Sequence, residues 1–234
     1  LPVLRADGAE QLPGHGARAY LDVEEVVAAA RRAGTDAVHP GYGLLSENAE
    51  FAAAVEAAGM VFFGPTPASL SLYGDKVAAR KLAQECDVPV VPGTPDPVDG
   101  AAAAAFFADL PAGAAMIVKA VAGGGGRGMR VVRSAEEAET AVAAARREAE
   151  AAFGNGDVYV ERFIESARHI EVQILGDGQG GIAVLGERDC TLQRRHQKVI
   201  EIAPAPFLDD AIRQSLHDHA RTLAAAGNYR SLGT

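Results

Sequence analysis

The stretch KAVAGGGGRGMRVV, residues 119–132, decides how the chain is read, because it sets four consecutive glycines between two apolar runs. Ordering a glycine run costs more conformational entropy than ordering other residues, so such a run signals a close backbone approach or an unusual turn. It formally contains GxGxxG at Gly123, Gly125 and Gly128. A dinucleotide fingerprint needs a strand before it and a helix after it. Here MRVV reads as a second strand, so a β-hairpin is expected rather than a Rossmann turn. No GK[ST] closes the run, which sets aside the Walker loop as well. Two readings of a glycine hairpin remain: an exposed flexible connection, or a row of backbone N–H groups that folds over phosphate oxygens. Lys119, on the entering strand, adds a point charge suited to phosphate.

Composition bounds the rest. The chain has 234 residues, 48% of them hydrophobic, which suits one or two globular domains. No apolar run approaches the roughly 20 residues that span a bilayer, so no membrane partner is expected. LPVLRADGAE, at the start, lacks the order of a secretory signal, and with no initiator methionine it reads as a cut edge. A formal charge of −9 argues against nucleic acid as a partner. Lysine is scarce: Lys76, Lys81, Lys119 and Lys198. Cys86 and Cys190 match no zinc spacing and read as reduced structural thiols, in keeping with a cytoplasmic location.

Helix and strand signals alternate through the first third. LDVEEVVAAARRAG reads as a helix stopped at Gly34, TDAVHP as a strand, SENAEFAAAVEAAG as a helix capped by Ser46 and stopped at Gly59, and MVFFG as a buried strand. This alternation predicts a parallel sheet of which only part is present. DKVAARKLAQECD is helical, and the proline-rich VPVVPGTPDPVDG has the look of a domain boundary. A small α+β unit follows over residues 91–163: helix, strand, glycine hairpin, long helix from about Ser134 to Phe153, and strand DVYVERF. The last third is strand-rich and ends in an amphipathic helix, DDAIRQSLHDHARTLAAAG.

Three further stretches carry chemistry. In RHIEVQIL, His169, Glu171 and Gln173 share one strand face, and Ile170, Val172 and Ile174 the other. ERDCTLQRRHQKVIE, residues 187–201, crowds charged residues between apolar strands; it suits a solvated face or, through Gln193, His196 and Lys198, a small anion. HPGYGLLSEN, residues 39–48, has the strand–turn–helix form found at ligand crevices of open sheets, and also wherever a strand simply joins a helix.

Together these stretches resemble the biotin carboxylase family of ATP-grasp enzymes. The resemblance runs in order through HPGYGLLSEN, GPTPASLSLYGDK, IVKAVAGGGGRGM, ERFIESARHIEVQILGDGQG and ERDCTLQRRHQKVIEIAPAP. It implies an α/β and α+β architecture: a partial N-terminal biotin carboxylase domain at residues 1–74, with a parallel sheet, and an ATP-grasp domain at 75–234. The latter is incomplete at its C-terminal end, with 91–163 as its lid. By resemblance, Lys76 and Lys119 bind ATP, and Gly125 and Gly126 lie in the loop that closes over its phosphates. Ala122 stands where the family's glycine run often begins. Glu161, Arg162, Phe163 and Ile164 match the hinge that holds adenine, and His169 and His196 match residues near the nucleotide. Lys198 matches the lysine that meets bicarbonate, with Glu171, Gln193 and Glu201 in support.

The implied reaction is ATP- and bicarbonate-dependent carboxylation of biotin on a separate carrier domain, through carboxyphosphate, with Mg²⁺ (or Mn²⁺) accompanying the nucleotide. The expected setting is an acyl-CoA carboxylase of the acetyl or propionyl type, with carrier and carboxyltransferase partners and homo-oligomeric assembly. Pyruvate carboxylase is the alternative, then urea carboxylase, then a nucleotide-binding assembly module without turnover. No metal ligand is assigned within the chain, since the family's acidic ligands follow the GT at Gly233–Thr234. Residues 1–234 alone are therefore expected not to carboxylate biotin.

Overall fold

The Asp22 carboxylate accepts a hydrogen bond from the Glu25 amide and turns the chain into helix α1 (Val23–Arg32). The computed structural model describes residues 4–122, 129–194 and 197–234. Strand β1 (Ala37–Val38), helix α2 (Ala49–Ala57) and strand β2 (Val61–Phe62) follow. β1 and β2 pair in parallel, Ala37 opposite Val61 and Val38 opposite Phe62, as the alternation of strand and helix requires.

Two local expectations are corrected here. Asn48, not Ser46, caps α2: its side chain accepts from the Phe51 amide at 2.7 Å. Ser46 belongs to a preceding turn, where its amide bonds to Gly43 O. MVFFG, in turn, is buried on one side only. Phe62 is 2% exposed and packs with Leu45, Phe51, Val55 and Met60, whereas Val61 and Phe63 are each 58% exposed. Alternate strand residues face opposite ways, and the second face has no cover among the described residues.

Helices α3 (Pro67–Gly74) and α4 (Lys76–Glu85) share Asp75. Its amide closes α3 on Ser71 O, and its carboxylate accepts from the amides of Val77 and Ala78 to open α4. That one residue fixes Lys76 in the first turn of a helix.

The central unit holds α5 (Gly100–Ala108), β3 (Ala115–Ala120), β4 (Arg130–Val132), α6 (Ala135–Phe153) and β5 (Val158–Phe163), with strand order β4-β3-β5. Both pairings are antiparallel. Met116 lies opposite Val132, so the glycine run does join two hairpin strands, and the Rossmann reading is excluded. Gly125 and Gly126 lie outside the described residues. Met116, Val118, Val158 and Val160 form the core with Ala103, Ala138, Val142 and Ala145 of the two helices. The proline-rich connector is no loose linker. Arg162 N bonds to Pro92 O, Thr94 N to Val160 O and Val98 N to Val158 O, so the connector lies along β5. The approach requires glycine at position 93, where a Cβ would sit 2.8 Å from both Glu161 Cβ and Val160 O.

The last third forms an antiparallel sheet of order β8-β7-β6-β9 from β6 (Ile170–Asp177), β7 (Ile182–Arg194), β8 (Gln197–Ile202) and β9 (Arg230–Gly233), backed by α7 (Asp210–Ala226). β7 carries the first part of the charged stretch, as far as Arg194, and β8 carries its last part from Gln197; β9 is a strand that the sequence reading did not contain. No described helix is long and apolar enough to cross a membrane. If Asn48 is the α2 cap, Asn48→Ala should lower unfolding free energy by about 1 kcal/mol. Ser46→Ala should stay within about 0.5 kcal/mol of the parent in the same denaturant titration.

Candidate active site

Because strand residues alternate, the core residues of β3 and β5 leave Ile117, Lys119, Tyr159 and Glu161 on the opposite face. Ile117 lies opposite Glu161 and Lys119 opposite Tyr159, so Lys119 and Glu161 are diagonal neighbours. Lys119 Nζ donates to Glu161 Oε1. Arg80, from α4, places Nη1 3.5 Å from Glu161 Oε2 and donates from Nη2 to Val91 O at 2.8 Å. Lys76 Nζ reaches Val121 O, at the foot of the glycine run, at 3.3 Å. Burial first, and then the neighbouring Lys119 charge, lower its pKa. Two lysines and a helix N-terminus thus converge where the hairpin loop begins.

A cavity of about 420 Å³ opens beside them. Ile117, Lys119, Glu161, Arg162, Phe163 and Ile164 line one side, and His169 and Gln193 the other. Apolar side chains and the backbone of residues 161–164 suit a flat heterocycle, and the lysines suit its anionic tail.

His169, just before β6, lies beside Glu171, and Glu171 and Gln173 of β6 share a face as expected; β7 supplies their partners. Glu171 lies opposite Arg188 and accepts from its Nη2 at 2.7 Å and its Nε at 3.1 Å, while Lys198 Nζ donates to the other carboxylate oxygen at 2.5 Å. Arg188 also donates to Gln173 Oε1 at 2.8 Å and stands 3.6 Å from Glu201. The Gln193 amide reaches both His169 Nδ1, at 2.8 Å, and Cys190 O, at 2.9 Å. Burial would raise the Glu171 carboxyl, but hydrogen bonds from Lys198 and Arg188 outweigh it and hold it at about 2. Cys190 is fully buried beneath, its thiol pushed up by burial and by Glu171.

The charged stretch does not act as one constellation. Glu187 faces the other way, is buried, and is held by Arg213, by His217 at 2.7 Å and by the Ala205 amide. Asp189 bonds to Arg168 and the Thr191 amide. Glu187 and Asp189 thus turn away from the face that carries Arg188, and the register shifts on either side of Leu192 return Gln193 to the site. HPGYGLLSEN contributes nothing to the cavity lining, and Tyr42 is 97% exposed. His196 lies outside the described residues. The sequence reading counted Arg188 in the charged run without giving it a site role, and it missed Arg80. Arg188 was findable from the parity of paired strands, whereas Arg80 has no signal before the connector is seen to fold back.

Glu171, Cys190 and Glu201 bring potential ligand atoms within 4.8 Å of one another. The group does not fit Mg²⁺: Glu171 is already held by two cations, and a protonated thiol is a poor ligand for a hard ion.

Residues 75–234 match the family model described as "Carbamoyl-phosphate synthase L chain, ATP binding domain", and residues 1–70 match "Biotin carboxylase, N-terminal domain". The chain belongs to the biotin carboxylase group of ATP-grasp ligases. Over 216 residues it is 54% identical to a pyruvate carboxylase of Aspergillus niger, covering 92% of this chain and 18% of the relative. Over 230 residues it is 47% identical to the biotin-dependent acyl-coenzyme A carboxylase alpha3 subunit of Mycobacterium leprae, covering 98% of this chain and 38% of that one. The biotin carboxylase domain of Hydrogenobacter thermophilus 2-oxoglutarate carboxylase superposes with a TM-score of 0.93 at 38% identity, covering 98% of this chain and 51% of that one. That structure is a domain dimer in complex with MgADP, ADP and bicarbonate. The chain therefore spans between about a fifth and a half of the length of these relatives.

The Glu171 network should be visible in stability. The carboxyl is depressed to about 2 from an ordinary 4.5, so its contribution is complete above about 4.5 and is lost as pH falls through about 2. Glu171→Gln should lower the melting temperature at pH 7, and the deficit should shrink as pH is lowered from 4.5 towards 2. A deficit of constant size across that range would contradict the assignment.

Proposed function

We propose that this chain carries the first half-reaction of a biotin-dependent carboxylase. ATP, supplied as its Mg²⁺ complex, phosphorylates bicarbonate to carboxyphosphate, and the CO₂ that this releases is transferred to a ureido nitrogen of biotin on a carrier domain. The observation that carries this reading is the convergence of three of the chain's scarce lysines on one region. Lys76 and Lys119 stand at the foot of the glycine hairpin, and Lys198 bonds Glu171 beside His169 and Gln193, which line the same cavity as Lys119 and residues 161–164.

Phosphoryl transfer to a small anion asks the protein mainly for charge neutralisation and positioning. Lys76, Lys119 and the loop containing Gly125 and Gly126 are assigned to the ATP phosphates. Glu161, Arg162, Phe163 and Ile164 are assigned to the adenine, and His169, His196 and Glu201 to the nucleotide's surroundings. Lys198 is assigned to bicarbonate, oriented by Glu171 and Gln193. Within this reading residues 1–74 form part of the N-terminal domain, 75–234 the ATP-grasp domain, and 91–163 its lid. Closure of that lid would keep carboxyphosphate from water.

Carrier and carboxyltransferase domains are the proposed partners, with assembly into homo-oligomers as in the Hydrogenobacter thermophilus domain dimer. Cys86 and Cys190 are both unpaired, which suits the proposed cytoplasmic setting. The acyl-CoA acceptor expected from the resemblance is supported by the Mycobacterium leprae subunit. Pyruvate is supported at least as well, since pyruvate carboxylases from several organisms match at 48–54% identity. Assay of the full-length protein with pyruvate against acetyl- and propionyl-CoA separates the two.

In that protein, Lys198→Gln should cut bicarbonate-dependent ATP cleavage while leaving nucleotide affinity close to the parent's. Lys119→Gln should instead weaken ATP use, by about 1.5–3 kcal/mol if one charge-assisted hydrogen bond is lost. A Lys198→Gln defect confined to nucleotide affinity, or an unchanged Lys119→Gln enzyme, would contradict the assignments.

A further inference from the structure

Glu161 is a nearly buried carboxylate, its side chain 12% exposed, and it is shared by two cations that are held differently. Lys119 reaches Oε1 from the same sheet and is 25% exposed. Arg80 approaches Oε2 from another element, is 14% exposed, and is tethered by its bond to Val91 O. Arg80 follows Lys76 by one helical turn, so α4 turns both cations towards the central unit: Lys76 to Val121 O, and Arg80 to Val91 O and Glu161.

This arrangement poses a problem for the proposed function, on which the inference rests. When Lys119 leaves Glu161 for a phosphate, the carboxylate stays in place, and an uncompensated buried charge is strongly unfavourable. We infer that Arg80 is a positioning residue: it remains as the counter-charge of Glu161 while Lys119 is exchanged onto the nucleotide phosphates. It touches neither phosphate nor reacting atoms. Its effect is to weaken the hold of Glu161 on Lys119, so that ATP does not have to strip the only partner from a buried carboxylate. No bond is made or broken, and the charge of every group is conserved.

The test uses the full-length protein, with KM and kcat for ATP alongside equilibrium binding of ATP. Arg80→Gln retains an N–H donor for Val91 O but removes the charge. It should raise ATP KM and Kd by roughly tenfold, the scale of one charge-assisted hydrogen bond, with kcat changed much less. Arg80→Lys keeps the charge and should stay near the parent. The decisive comparison is in a Glu161→Gln background, where there is no carboxylate to trap Lys119 and Arg80→Gln should leave ATP affinity unmoved. A residue that only stabilised the fold would cost the same in both backgrounds. Unchanged affinity in Arg80→Gln, or an equal loss with and without Glu161, would overturn the inference while leaving the proposed function standing. A parent protein that binds no ATP would overturn both.

Discussion

The two-residue period of the β3–β5 pair is the constraint on which the site depends. One face must be dry, because Met116, Val118, Val158 and Val160 pack with α5 and α6. The same backbone then has to present Lys119 and Glu161 together on the other face, since antiparallel register makes them diagonal neighbours. A slip of one residue would bury the charged pair in the core and expose the valines. Core packing and site geometry are therefore enforced by one set of ladder hydrogen bonds, and the connector that lies along β5 through Gly93 closes the edge of that ladder.

The same logic repeats on β6 and β7 with different chemistry. Glu171, Arg188 and Cys190 share the site side of the sheet, while Glu187, adjacent to Arg188, is held against α7 by Arg213 and His217. Glu187 is thus an anchor: a buried carboxylate satisfied on its own face, which holds β7 on the helix while Arg188 engages Glu171 on the reverse. Neutralised charge on both faces of one strand is tolerable only because each buried carboxylate has partners within bonding distance.

Much of this was legible in the sequence, and the parts that were not share a cause. The glycine hairpin, the parallel β1–β2 pair and the common face of His169 and Glu171 follow from local periodicity, which the chain displays openly. The α2 cap was misplaced because Ser46 and Asn48 are both good cap residues two positions apart, and only the extra turn on Gly43 O selects between them. The connector reads as a boundary because proline and glycine mark both linkers and edge segments; its hydrogen bonds to β5 come from residues sixty or more positions away. Arg80 was missed for the same reason: its partners lie on other elements, and nothing near it in sequence marks it. Arg188 stands inside the charged stretch that the sequence singles out, and only the pairing of β6 with β7 gives it a role.

Opposing charges, taken together, explain how an acidic protein can keep a cationic site. The chain carries a formal −9, yet Lys119 and Arg80 are gathered on Glu161 with Lys76 nearby, and Arg188 and Lys198 on Glu171. Left unpaired in a half-buried cleft, such cations would repel one another; the pKa of Lys76 is lowered first by burial and only then by the neighbouring Lys119. Glu161 and Glu171 relieve it, each held between two cations. An arriving anion then need not pull a lone cation out of an ion pair, because each carboxylate retains a second partner when the first moves. Doubling the cations on each carboxylate, rather than leaving lysines bare, reconciles a stable resting site with the anion binding proposed for it.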